Sequence, residues 1–169
     1  MSEKSMNASF STGLLLVIKE IRLERGIHQG LIAQYIGKTP NAWTKIENGQ
    51  STLTADALFG VCNALQIQPS YMLSLVERLV PIFNSSGWFF QNYSLEEGHD
   101  DLLKLMLTYF NSSGYEALKS RPYDRVSVTS IGNLYLPSIT PTIVRYCCES
   151  DFREWINNGA QPLTTSITL

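Results

Sequence analysis

Hydrophobic positions in the first half of the chain recur three and four residues apart, in runs separated by glycine, proline and threonine. This is the pattern of short amphipathic helices joined by tight turns. Ser11 and Thr12 stand where caps stand, ahead of a helix over about 14–25 that Gly26 ends. Ile18 and Ile21, with Leu14 one turn earlier, give that helix a buried stripe. Leu15, Leu16 and Val17 widen the apolar surface past one face, so a second surface has to cover it, either the C-terminal part or another subunit. A second helix is expected from about His28 to Ile36, with Ile32, Ala33 and Ile36 inward, and Gly37 makes the turn after it. Thr39 caps a third helix over 40–48, Pro40 takes its first position, and Trp43 and Ile46 face in. Gly49 permits a left-handed exit. Thr54 caps a fourth helix reaching Leu65, with Leu58, Val61, Cys62 and Leu65 inward. A fifth starts at Pro69, runs through Met72, Leu73, Val76, Leu79 and Val80, and is expected to end at Pro81.

The flanks are less regular. Residues 1–10 read as polar and disordered. Residues 87–91 read as an aromatic strand, and 97–112 as a helix with Leu102, Leu103, Leu105, Met106 and Tyr109 apolar. Residues 125–130 alternate around Val126 and Val128, and 133–139 alternate after turn chemistry at Ile131, Gly132 and Asn133. Residues 142–147 read as a further strand. Ser150 caps a last helix over 151–158, stopped by Gly159. The fold expected is an N-terminal all-α domain of five helices over 1–81 and a small C-terminal α+β domain over 82–169. The sequence Phe-Asn-Ser-Ser-Gly-aromatic occurs at 83–88 and again at 110–115, through duplication, repeated turn chemistry or chance.

Within residues 26–67, Gln29, Ala33, Gly37, Ile46, Glu47 and Gly49 stand in one fixed register. This stretch resembles the DNA-binding core of the lambda repressor/Cro-like helix-turn-helix family (the XRE family). The resemblance covers about residues 14–80 and needs no insertion or deletion between Gly26 and Ile67. It implies a five-helix repressor-like module whose third helix enters the major groove of double-stranded DNA. By family position, Gln29 meets a phosphate at the start of the second helix. Thr39, Pro40 and Asn41 lie nearest the bases, Thr44 and Lys45 follow one turn later, and Asn48 meets the backbone. Asn suits adenine and Lys suits guanine acceptors, while Pro40 offers only van der Waals contact. Lys38 and Lys45 serve either base reading or general phosphate attraction. Arg22 and Glu47 hold positions that pair between the first and third helices. The stretch departs from the family at three places. His28 stands where Ser or Thr usually caps, Gly30 where Glu often follows the glutamine, and Trp43 where Ile or Val is usual.

Charge adds one refinement. The formal net charge of −2 does not announce a nucleic-acid partner. Residues 1–80, however, hold seven Lys/Arg against six Asp/Glu, and 81–169 hold six against nine. DNA binding needs a local basic face, and so small a surplus predicts few phosphate contacts per copy, hence a homodimer or larger assembly. Trp88, Phe89, Phe90, Leu102 and Met106 supply apolar surface beyond what a DNA module needs. Residues 82–169 are therefore expected to make most of the dimer contact.

Little points to catalysis or to a cofactor. No run approaches the ~18 apolar residues of a membrane span, and Leu14–Ile18 is too short for a secretory signal. Cys62, Cys147 and Cys148 lack zinc-site spacing, and reduced thiols in a cytoplasmic chain are expected. The adjacent cysteines read as buried apolar residues rather than a redox pair. The acidic run at 96–101 around His99 reads as a helix N-terminus rather than a metal site. The expected function is a sequence-specific transcription regulator, a dimeric repressor on an inverted repeat, with a dimerising or sensing C-terminal domain. The alternatives are an antitoxin-type autoregulator whose C-terminal domain binds a protein partner or small effector, and an interaction module that binds no DNA.

Overall fold

Leu15, Leu16, Val17 and Ile18 are each at most 4% exposed. Four consecutive helical residues span about 300° of the helix circumference, so the helix that carries them is enclosed on nearly every side. The computed structural model, which describes residues 4–131 and 139–162, shows what encloses it. Strand β1 (Met6–Ser9) leads into helix α1 (Phe10–Glu24), followed by α2 (Gln29–Tyr35), α3 (Pro40–Glu47), α4 (Ala55–Leu65) and α5 (Pro69–Ser85). Then come strand β2 (Trp88–Gln91), α6 (Asp101–Phe110), α7 (Ser113–Lys119), two short 3₁₀ turns (Pro122–Asp124 and Val128–Ser130), α8 (Thr142–Cys148) and α9 (Ser150–Asn157). Helix α1 packs against α4 and α5 on one side and against β1, α6 and the second 3₁₀ turn on the other. The C-terminal part of the same chain thus supplies the second cover that α1 requires.

Residues 6–9, expected to belong to a disordered tail, form strand β1. β1 pairs in parallel with β2, Met6 opposite Trp88 and Ser9 opposite Gln91. Parallel neighbours need a crossover connection of a dozen residues or more, and here helices α1 to α5 form it. On its other edge, β1 meets two carboxylates. Asn7 N–H donates to Asp101 Oδ2 (2.9 Å) and Ser9 N–H to Asp100 Oδ2 (3.4 Å). Ser9, not Ser11 or Thr12, caps α1, accepting from Thr12 N–H, so the helix starts four residues before the expected position.

Pro81 does not end α5 but lies inside it. Proline removes one intrahelical hydrogen bond, and buried Leu79 and Phe83 on either side hold the helix through it. Residue 81 therefore falls within an element rather than between two.

The C-terminal part differs most from expectation. Among the described residues its strand is β2, whose partner is β1, and the rest is helices and turns rather than a separate α+β unit. Residues 142–147 form helix α8, not a strand. Ile143, Val144, Tyr146 and Cys147 are buried, a helical spacing that overrides the β-branched composition. Residues 125–130 contain a 3₁₀ turn in place of a strand, held by Thr142 N–H to Val126 O (3.0 Å) and by Val126 N–H to Thr142 Oγ1 (2.7 Å). Ser150 is the first residue of α9, after Glu149, rather than its cap. The alternation expected at 133–139, and most of the turn before it, lie outside the described residues. The repeated phrase ends a helix both times, and in each copy the Phe meets the later aromatic edge-on, Phe83 with Trp88 at 5.4 Å and Phe110 with Tyr115 at 5.3 Å. The backbones then diverge, the first into a strand and the second into α7.

The surplus of apolar residues expected to face a second copy is spent internally. Trp88 is 2% exposed, and Leu102 and Met106 are fully buried. Phe89 alone among the five is largely exposed.

One ionisable group is enclosed where α1 meets the C-terminal part. Glu20 is fully buried, with Arg125 Nη1 at 3.4 Å and no hydrogen-bond partner for either carboxylate oxygen among the described residues. Burial pushes its carboxyl up to about 7, against the opposing pull of Arg125 and with repulsion from Glu24. A carboxyl harder to ionise folded than unfolded contributes its stability in full below its unfolded value of 4.5 and loses it as pH rises towards 7. The melting temperature should therefore decline from about pH 5 to about pH 8 in the wild type by more than in Glu20→Gln. Parallel pH profiles for the two proteins would show that the carboxyl ionises without cost.

Candidate nucleic-acid interface

The turn between α2 and α3 follows from short-range chemistry. Gly37 adopts φ +64, and Lys38 N–H reaches back to Ala33 O (2.9 Å), closing α2. Thr39 caps α3 by accepting from Ala42 N–H (3.2 Å), with Pro40 first in the helix. At the other end Gly49 adopts φ +75, and Gln50 and Ser51 N–H groups bond Lys45 O (2.8 and 3.2 Å).

The three departures from the family pattern each find a place. His28 does cap α2: its Nδ1 accepts from Gly30 N–H at 3.0 Å. A Cβ on residue 30 would lie 3.2 Å from that same Nδ1. The glycine thus leaves room for the imidazole, and the two substitutions make one cap. Trp43 is fully buried, so its bulk is taken up inside the module, and its indole N–H has no partner among the described residues.

Beneath α3 lies a polar network. Glu47 is fully buried, and its Oε1 accepts from Arg22 Nε at 2.8 Å. Its Oε2 accepts from Gln29 Nε2 at 2.9 Å. Arg22 Nη1 also donates to Ile27 O (2.9 Å), at the turn before α2. The Thr44 hydroxyl lies within donating distance of Pro40 O (3.0 Å) and Gln29 Oε1 (3.3 Å). One carboxylate therefore ties α1, α2 and α3 together. Lys19 stands nearby, its amine over the Phe110 ring at 5.2 Å. Burial lowers its pKa, against the opposing attraction of Glu47.

The residues singled out in the sequence divide into two groups. Lys38, Thr39, Pro40, Asn41 and Lys45 are exposed, on the turn and the outer face of α3. Gln29 and Thr44 are half-buried and bonded to the network, although an amide carries two N–H donors and Gln29 spends one on Glu47. Asn48 is half-buried at the far end of α3, on the wall of a cleft of about 570 Å³ between the loop leaving α3 and residues 94–98. Sequence reasoning assigned nothing to Gln50, Ser51 and Thr52, which are exposed on that loop. From Gly26 to Leu53 the charged residues are Lys38, Lys45 and Glu47. With Glu47 buried and paired, this face presents cations to solvent.

The remaining chemistry-bearing groups have structural employment. Asp100 caps α6 through Leu103 N–H (3.0 Å) and accepts from Thr12 Oγ1 (2.6 Å). His99 faces Glu96 at 3.6 Å, both largely exposed. Burial raises the pKa of Cys62, Cys147 and Cys148, disfavouring the reactive thiolate in each. Among the described residues no helix is long and apolar enough to cross a membrane.

Residues 18–72 match the helix-turn-helix family, and the C-terminal part is not recognised. No curated protein and no solved structure matches the chain.

The Glu47 network makes a mutational prediction. Arg22→Ala leaves a buried carboxylate without its counter-charge and should cost about 3 kcal/mol. Adding Glu47→Ala should cost less than the sum of the two single changes, with a coupling of about 1 kcal/mol or more in denaturant titrations. Strict additivity would remove the case for a direct interaction.

Proposed function

We propose that this chain, whose residues 18–72 belong to the lambda repressor/Cro-like helix-turn-helix family, is a sequence-specific DNA-binding transcription regulator. The observation that carries the reading is the division of α3 into two faces. Its inner face (Trp43, Ile46 and Glu47) is buried and locked to α1 and α2, and its outer face presents Thr39, Pro40, Asn41 and Lys45. A helix fixed in this way can hold amide and ammonium donors in a major groove without losing their orientation. Gln29 supports the reading from the N-terminus of α2, where its second amide N–H and the helix end suit a phosphate. Lys38, Thr44 and Asn48 complete the proposed surface, with Thr44 acting mainly by fixing α3 to α2.

The finer proposal is a homodimeric repressor on an inverted repeat. Few exposed cations per copy neutralise few phosphates, and a second copy doubles that number. Half-site centres are then about 34 Å apart, or a multiple of that. In the rival, in which the fold binds only protein, Asn41 and Lys45 are ordinary solvated side chains of an outer helix face.

Selection of bound duplexes from a random pool tests the proposal, and enrichment of no sequence would overturn it. On the selected site, Asn41→Ala and Lys45→Ala should each cost about 1–3 kcal/mol, with a smaller loss on random DNA. Equal losses on both would assign these residues to phosphate alone.

A further inference from the structure

The exit of α3 touches the C-terminal part of the chain at one glycine. A Cβ placed on Gly49 would lie 2.8 Å from Leu103 Cδ2 and 2.9 Å from Leu103 Cδ1. The φ of +75 favours glycine at this position, and the terminal methyls of Leu103 close off the space beside it. Leu103 sits in the first turn of α6, and α6 is firmly seated. Asp100, its cap, is 8% exposed and also bonds Ser9 and Thr12 at the start of α1. The loop beyond Gly49 is exposed, and it lines the cleft of about 570 Å³ together with Leu103. Gln50 and Ser51 both bond the carbonyl of Lys45. A displacement of Gly49 is therefore passed to the last turn of α3, which carries Lys45 and Asn48.

We propose that Leu103 is a positioning residue for DNA binding: the C-terminal part uses it as a stop that fixes the loop leaving α3 and, through that loop, the turn of the helix that carries Lys45 and Asn48. The inference rests on the DNA-binding reading above. It assigns the C-terminal part a direct share in the interface without any contact to DNA. Truncating the leucine lets the loop shift into the space that its methyls occupied. A side chain of similar volume keeps the stop in place.

The test uses the full chain with Leu103→Ala, Leu103→Met and Leu105→Ala, the last an equal truncation elsewhere on α6. Each is assayed at a temperature where circular dichroism shows it folded. Leu103→Ala should weaken binding to the selected duplex about fivefold, with a smaller loss on random duplexes, and should lower the salt slope. The amides of Gln50 and Ser51 should exchange faster with solvent deuterium. Leu103→Met should restore all three readouts, and Leu105→Ala should leave them within about twofold of wild type. Wild-type binding by Leu103→Ala would overturn the inference, as would an equal loss in Leu105→Ala. If the wild-type chain binds no duplex, the DNA-binding reading fails by itself. The exchange rates at Gln50 and Ser51 then still decide whether Leu103 holds the loop.

Discussion

The orientation of α3 depends on one buried carboxylate. Glu47 has no exposure to water, so its charge has to be met inside the protein. Arg22 and Gln29 meet it from α1 and α2. A buried pair of this kind is weak evidence of stability, because desolvation offsets much of the attraction, but breaking it on one side is costly. That asymmetry fixes position rather than adding strength. Any rotation of α3 that carried Glu47 away from Arg22 would strand a charge, so the outer face is held in register with the scaffold.

A second carboxylate plays a comparable part at the other end of α1. Asp100 collects donors from Ser9, Thr12 and Leu103, and beside it Asp101 takes the amide of Asn7. The two acids join the start of α1, the edge of β1 and the start of α6. β1 would otherwise present unpaired amides along a free edge, a template for unwanted pairing. Here the acidic run that resembled a metal cluster in the sequence serves as that edge's hydrogen-bond partner.

The helix-turn-helix was legible because its determinants are local. Thr39, Pro40, Gly37 and Gly49 act through backbone preferences a few residues away, and the inward positions of α2 to α4 keep a helical period. The pair Arg22–Glu47 was legible only through resemblance, since no local rule joins positions 25 apart. What failed was non-local. Residues 6–9 look like a tail because their strand partner lies across the whole bundle. Pro81 breaks a rule that tertiary packing of Phe83 outweighs. Thr142, Ile143 and Val144 favour a strand until a core collects them at helical spacing. His28 and Gly30 each looked like a defect in isolation, and their compatibility appears only when ring and backbone are placed together. Thr39, Asn41 and Lys45, singled out through the resemblance, are exposed, whereas the diversion of Thr44 into the network was not foreseen.

Helix α1 is where the two halves of the chain meet, and its charged residues show how. Arg22 faces α3, Glu20 faces Arg125, and Lys19 lies over Phe110. Glu24 accepts from the Ser127 hydroxyl (2.6 Å) in the same strap of chain as Arg125. By comparison, Lys119–Glu116 within α7 and Arg145–Glu149 at the end of α8 are exposed pairs three and four residues apart. Pairs of that sort contribute about 1 kcal/mol at most and connect nothing distant. Buried Glu20 acts differently, since its counter-charge among the described residues, Arg125, comes from the other half of the chain, while Arg22 on the same helix is committed to α3. Glu20 and Arg22 stand two residues apart on α1, about 200° around its axis, so one turn of helix carries both the contact to residues 125–127 and the contact to α3.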